Sequence, residues 1–266
     1  MNLETKKKLL VDELTSLKRV IVAYSGGVDS TFLLKMAKET LGTQNVLAVI
    51  AESPTYPEKE KKEAVSFCIE EGVSYLIITS DEMKDRRFTM NDANRCYYCK
   101  QNLYDEILKI AEKHKITNIV EGSNYDDLSD YRPGRKAILE KGIKSPLLNA
   151  KLTKDEIRLL SKELGLKTYS KPAKACLASR VPYGTIITHE ILKKIEMAES
   201  YIENIGVKQV RVRAHDNIAR IEVLPEEFLK VIDNREKIVE ETKKIGFSYV
   251  TLDLLGYRTG SLNEIL

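Results

Sequence analysis

The sequence predicts an α/β chain, with a mostly parallel, twisted sheet covered by helices on both faces and a small α+β region after it. Short apolar runs alternate with amphipathic segments over roughly the first 165 residues, the pattern of strands joined by crossover helices. The pattern changes after about residue 185, where two strands of apolar–polar alternation follow each other directly. A length of 266 residues with 42% hydrophobic content can bury one large and one smaller core.

Each element has a local reason. Leu3, Leu9, Leu10, Leu14 and Leu17 recur at helical spacing. Residues 19–24 form an apolar run that reads as a buried strand, ending in Ser25-Gly26-Gly27-Val28-Asp29-Ser30 and a helix that stops at Gly42. Strands are expected at 46–51, 74–79 and 118–121, and helices at 58–72, 103–115 and 153–165, the last with Thr153 and Glu156 in a capping-box pattern. Residues 80–100 show no clean period, and 122–133 read as a polar loop. Beyond 185, a helix at 189–205, strands at 208–214 and 218–224, a helix at 225–245 and a strand at 249–254 complete the pattern. The expected domains are 1–175 and 176–266.

Charge and composition exclude several classes. With 43 basic and 40 acidic residues, a net +3, there is no basic excess of the kind nucleic-acid binders carry. The N-terminus is charged and amphipathic rather than a signal peptide, and no apolar stretch reaches membrane-spanning length, so a cytoplasmic protein is expected. In a reducing compartment Cys68, Cys96, Cys99 and Cys176 point away from a disulfide framework.

The segment 25–30 carries the most chemistry. Two glycines let backbone N–H groups approach an anion, and the following helix start adds partial positive charge. Ser25 and Ser30 supply hydroxyls, whereas Asp29 suits a magnesium ion or loop orientation. Neither a Walker loop nor a dinucleotide fingerprint is present. The string SGGVDS resembles the PP-loop of the ATP pyrophosphatases, enzymes with a Rossmann-like fold that cleave ATP between the α- and β-phosphates. Glu52 and Ser53 follow the second strand, and Gly122 and Asn124 with Asp126, Asp127 and Asp130 follow a later one, all at carboxyl ends where such sheets bind ligands. These carboxylates could hold Mg²⁺ through waters.

Cys68 lies among Ala64, Val65 and Phe67 on a helix and reads as core. Cys96 and Cys99 form a C-x-x-C, compatible with redox, zinc or iron–sulfur chemistry. Two arrangements stay open: three thiolates holding a [4Fe–4S] cluster with one open iron, or Cys176 acting alone beside a structural pair. In the last two-strand segment Val210, Val212 and Ala214 alternate with Arg211, Arg213 and His215, and Ala219, Ile221 and Val223 with Arg220 and Glu222. On the residues alone, that charged set is a solvated face or forms ion pairs at a subunit interface, although several guanidiniums on one face also suit a phosphate or carboxylate ligand.

SGGVDS at 25–30, RCYYCK at 95–100, GSNYDDLSDYRPGRKA at 122–137, ACLASRVPYGTIIT at 175–188 and VRVRAHDNIARIEV at 210–223 together resemble the LarE family of ATP-dependent sulfur transferases. The resemblance implies a pyridinium dicarboxylate mononucleotide substrate whose carboxylates are adenylated and become thiocarboxylates, on the way to the nickel-pincer nucleotide of lactate racemase. It implies ATP, Mg²⁺ and a sulfur donor such as sulfide, neighbouring carboxylase and nickel-insertion enzymes in the pathway, and a homo-oligomer. One family style sacrifices the sulfur of the cysteine matching Cys176. The other holds a [4Fe–4S] cluster on three cysteines, and Cys96, Cys99 and Cys176 match that set. Arg211, Arg213 and Glu222, with Ser179, Arg180 and Glu199 beside them, match an anion site near the sulfur-bearing cysteine. The rival readings are a tRNA-thiolating enzyme, an amide-forming synthetase and an ATP-binding module without chemistry.

Overall fold

The computed structural model describes residues 1–128, 133–172, 175–258 and 260–261. They fall into two compact units, Met1–Glu82 with Cys96–Lys174, and Met83–Arg95 with Ala175–Leu266. The first unit begins with α1 (Leu3–Leu17), β1 (Val20–Ala23), α2 (Val28–Leu41), β2 (Val46–Glu52), α3 (Glu58–Glu71) and β3 (Ser74–Thr79). A short helix, α4 (Arg86–Thr89), lies in the second unit. The first unit resumes with α5 (Arg95–His114), β4 (Asn118–Val120), α6 (Gly134–Glu140), α7 (Pro146–Asn149) and α8 (Lys154–Glu163).

The strands lie in the order β3-β2-β1-β4, all parallel. Period two divides their side chains between two cores. Val20, Val22, Ala48 and Ile50 face one side with Leu10 and Leu14 of α1, Phe32 and Leu33 of α2, Ala64 and Cys68 of α3, and Ile157 of α8. Ile21, Leu47, Val49 and Ile119 face the other with Tyr104 and Ile107 of α5 and Ile138 of α6. Helices therefore cover both faces, as the alternating pattern predicts. The capping box at Thr153 and Glu156 is present.

Three local readings change. α5 starts at Arg95, eight residues before the expected 103, so Cys96 and Cys99 lie on its first two turns. Two short helices, α6 and α7, occupy a stretch to which patterning assigned nothing. The expected helix at 225–245 is a 3-10 turn followed by α10 (Phe228–Asp233) and, after a break at Asn234, α11 (Arg235–Ile245), with α9 (His189–Asn204) preceding them.

The second unit pairs β5 (Val210–His215) with β6 (Ile218–Val223) as an antiparallel hairpin, and β7 (Tyr249–Leu252) runs parallel to β6. α9 packs on β5 and on α11. The segment Met83–Arg95 is tied in through Asn91, whose amide donates to the carbonyls of Pro182 (2.7 Å) and Thr185 (2.9 Å). The alternation read in β5 is correct, but its charged side is not solvated: Arg211 is 3% and Arg213 5% exposed, and Glu222 on β6 is 1% exposed. Among the described residues no helix is long and apolar enough to cross a membrane.

Candidate active site

The sheet reverses its winding between β1 and β4, the place where parallel sheets open a crevice at their carboxyl ends. The loop after β1 and the turn after β4 meet there. A Cβ on Gly122 would stand 2.9 Å from the Ser30 amide nitrogen, so only glycine allows β4's exit to lie against the start of α2. Gly26 adopts φ +63°, and a Cβ on it would come within 3.1 Å of the Ala64 Cβ, wedging the loop against α3. Ser25 Oγ and Ser30 Oγ are 3.1 Å apart, and the Ser25 N–H donates to Ser30 Oγ at 3.3 Å. The N–H groups of Gly26 and Gly27 donate to no described residue. Unpartnered amides ahead of a helix start make an anion cradle.

Asp29 does not face that cradle as a lone anion. Its Oδ2 is ion-paired with Lys154 Nζ at 2.6 Å, and its Oδ1 is buried with no hydrogen-bond partner among the described residues. That orphaned hard oxygen suits Mg²⁺ bound beside ATP phosphates. Glu52 at the end of β2 is exposed and ion-paired with Lys61. Ser53 and Thr55 both donate to Glu82 Oε1. Asn124 and Asp127 shape the turn after β4: the Asn124 N–H donates to Asp127 Oδ2 at 3.0 Å, and the Asp126 N–H to Asn124 Oδ1 at 2.9 Å. Asp126 also accepts the Lys154 N–H at 2.8 Å. These two aspartates organise backbone, which leaves Asp29 the stronger metal candidate; Asp130 lies outside the described residues.

Three loop partners were not read from the sequence. Tyr56 OH donates to the Ser25 carbonyl at 2.5 Å, Lys171 Nζ donates to the Gly26 carbonyl at 3.2 Å, and Lys154 holds Asp29. They lie 31, 145 and 125 positions away from their partners, and no local pattern marks them.

In the second unit the thiol-bearing turn rests on a buried ion cluster. Arg180, 1% exposed, donates to both Glu199 oxygens at 2.9 Å and, through Nη1, to the Cys176 carbonyl at 2.9 Å and the Ala175 carbonyl. Ser179 Oγ donates to the Cys176 carbonyl at 2.8 Å. Glu199 also accepts the Val212 N–H at 2.9 Å, binding the turn to β5. Arg213 bridges the Ser179 carbonyl (2.6 Å), Glu222 (2.8 Å) and Ser261 Oγ (2.9 Å), and Arg220 shares Glu222 at 2.9 Å. Arg211 stacks over Tyr257 at 5.4 Å. Burial, and then the neighbouring Arg180 charge, draw Arg211 down to about 10, still cationic at neutral pH. A buried guanidinium under cationic pressure is a place for an anion.

Among the cysteines, Cys68 is buried, its thiol pushed up to about 12 by burial, and it belongs to the core. Cys96 and Cys176 are exposed and Cys99 half-buried. Lys100 is held charged by Tyr104 against the opposing effect of burial. Glu121 and Cys99 push it the same way. No group of three or more His, Cys, Asp or Glu side chains among the described residues is arranged to hold a metal ion.

With this geometry in place, likeness to known proteins becomes informative. Residues 4–103, spanning the phosphate loop, match the NAD synthase family. The chain is 39% identical to pyridinium-3,5-bisthiocarboxylic acid mononucleotide synthase of Lactiplantibacillus plantarum over 99% of this chain and 96% of that protein. The chain belongs to the LarE family of ATP-dependent sulfur transferases. Uncharacterised proteins of Synechocystis sp. (41% identity, 99% of each chain) and Methanocaldococcus jannaschii (33%, 91% of this chain and 92% of that one) are similar along nearly their whole lengths. In this LarE-family enzyme the matched segment is thus a PP-loop domain, and it contains residues 25–30.

Proposed function

We propose that this enzyme converts the carboxylates of pyridinium-3,5-biscarboxylic acid mononucleotide into thiocarboxylates. The observation that carries this reading is the seating of Cys176. Its carbonyl and that of Ser179 are bonded to Arg180 and Arg213, members of a buried guanidinium cluster. A mononucleotide whose phosphate is held by Arg211 and Arg213 would therefore lie close to the Cys176 turn.

The chemistry proceeds in two halves. ATP lies on the 25–30 loop, with Mg²⁺ at Asp29. A substrate carboxylate oxygen attacks the α-phosphorus, and pyrophosphate leaves. The carbonyl now carries AMP, a far better leaving group than oxide. A sulfur nucleophile presented at Cys176 attacks that carbonyl, AMP departs, and a thiocarboxylate remains. By the family resemblance Cys96, Cys99 and Cys176 would hold an iron–sulfur cluster that would supply sulfide; Cys96 and Cys99 stand one helical turn apart on α5. The LarE relative and the near-neutral charge favour a small-molecule substrate over tRNA. Exposed Leu229, Leu254 and Leu255 in the second unit support a homo-oligomer. Cysteines kept as thiols rather than disulfides accord with a cytoplasmic setting, between a carboxylase and a nickel-insertion enzyme.

The test is anaerobic turnover with the biscarboxylate mononucleotide, ATP, Mg²⁺ and sulfide. Pyrophosphate, AMP and thiocarboxylate should form in equal amounts, with protein mass unchanged. Loss of one H₂S from the protein per thiocarboxylate would replace the cluster by the sacrificial route. Pyrophosphate without any thiocarboxylate would overturn the reading.

A further inference from the structure

The loop's amides must point at phosphate, yet nothing in SGGVDS itself compels the two glycine peptides to do so. A trans peptide is rigid, with its C=O and N–H directed oppositely. Whatever captures the carbonyl therefore sets the direction of the N–H on the next residue. The Ser25 carbonyl is taken by Tyr56 OH and the Gly26 carbonyl by Lys171 Nζ. The N–H groups turned to the other side are those of Gly26 and Gly27, the two that donate to no described residue.

We propose that Tyr56 and Lys171 are positioning residues of the phosphate loop, which act from the carbonyl side to aim and polarise the two amides that receive the pyrophosphate portion of ATP. Lys171 is not a direct phosphate ligand. Its ammonium is anchored by Glu60 at 2.6 Å and Glu63 at 2.7 Å, both on α3, and Glu60 is itself 4% exposed. Burial opposes the Lys171 charge, but the bonds to Glu60 and Glu63 prevail and hold it up. A cation on a carbonyl oxygen strengthens the N–H across the same peptide as a donor. Tyr56 is driven upward by burial and then by the Glu60 charge, so its hydroxyl keeps its proton and stays a donor. The wedge of Gly26 against Ala64 holds the loop on the helix that carries both glutamates. Two features of α3 that look like surface charge thus become part of the nucleotide site.

Calorimetric binding of ATP, pyrophosphate and AMP separates this role from a structural one and needs no carboxylate substrate. It rests only on the family's use of ATP, so failure of the substrate reading leaves it standing. Lys171→Met and Tyr56→Phe should each weaken ATP and pyrophosphate by roughly tenfold, the worth of one charged-group hydrogen bond. AMP should move by less than about twofold, because it lacks the portion these amides hold. Lys171→Arg should restore most of the loss. A folded Lys171→Met with unchanged pyrophosphate affinity, or with equal losses for AMP and pyrophosphate, would overturn the proposal. Should Lys171→Met unfold because Glu60 loses its ammonium partner, Lys171→Met with Glu60→Gln gives the same readout, and Tyr56→Phe gives it independently.

Discussion

An anion meets quite different surroundings in the two units. At residues 25–30 it would meet neutral backbone amides, with the loop's own carboxylate, Asp29, already tied to Lys154. At the Cys176 turn it would meet guanidiniums, but ones already shared with carboxylates: Arg180 with Glu199, and Arg213 and Arg220 with Glu222. A backbone cradle shaped by glycines presents no charge to the anion, and the Lys171 ammonium behind it is balanced by Glu60 and Glu63. A guanidinium cluster must be neutralised while it waits, and burial makes each missing partner costly. The first should therefore be sensitive to shape and the second to charge.

Four measurements sharpen or break that contrast. The largest effect is expected at Cys176: Cys176→Ala should lower thiocarboxylate formation to background while ATP binding stays intact, since the thiol is exposed and only its carbonyl is structural. Parallel loss of ATP binding would mean that the two regions are not separable. Next comes Arg180→Met, which strands Glu199 and should destabilise the chain by about 3–5 kcal/mol in urea unfolding. Adding Glu199→Gln should recover much of it; no recovery would mean that the carbonyl bonds, not the charge pair, dominate. Gly122→Ala changes no charge but pushes a methyl to 2.9 Å from the Ser30 nitrogen. It should cost about 1–3 kcal/mol and raise the ATP KM. The smallest effect concerns His215, lowered by burial and then by Arg220 and Arg213. The native chain therefore takes up this proton less readily than the unfolded chain, which gains it near about pH 6.5, so stability falls as pH drops below that value. His215→Asn should flatten the urea midpoint between about pH 7 and pH 5.5, which tests whether the guanidiniums create the positive field inferred here.

What could be read from sequence was what is local. Residues 19–42 hold strand, loop and helix in one continuous stretch, and the glycine pair announces its purpose. Gly122 could be recognised only as a member of a string; its close approach to Ser30 depends on β4 returning beside β1. The first turn of α5 was hidden because Arg95, Lys100, Gln101 and Asn102 interrupt any apolar stripe. Alternation in β5 was visible, but a strand's own residues do not say what covers its second face. Here the Ser179 carbonyl and Ser261 bond Arg213, and the Tyr257 ring lies against Arg211. The carbonyl clamps at Tyr56 and Lys171 could not be found by spacing at all.

The tie between Asn91 and the 181–185 carbonyls also bears on how the chain is made. The bonded partners are 90 to 94 positions apart. At ribosomal speeds of about 5–20 residues per second, Asn91 emerges roughly 5–20 s before them. Throughout that interval Asn91, fully buried in the finished protein, is without the carbonyls that its amide binds. A fragment starting at Ala175 would lack this strut entirely, so the two units cannot be parted by a single cut and each kept whole.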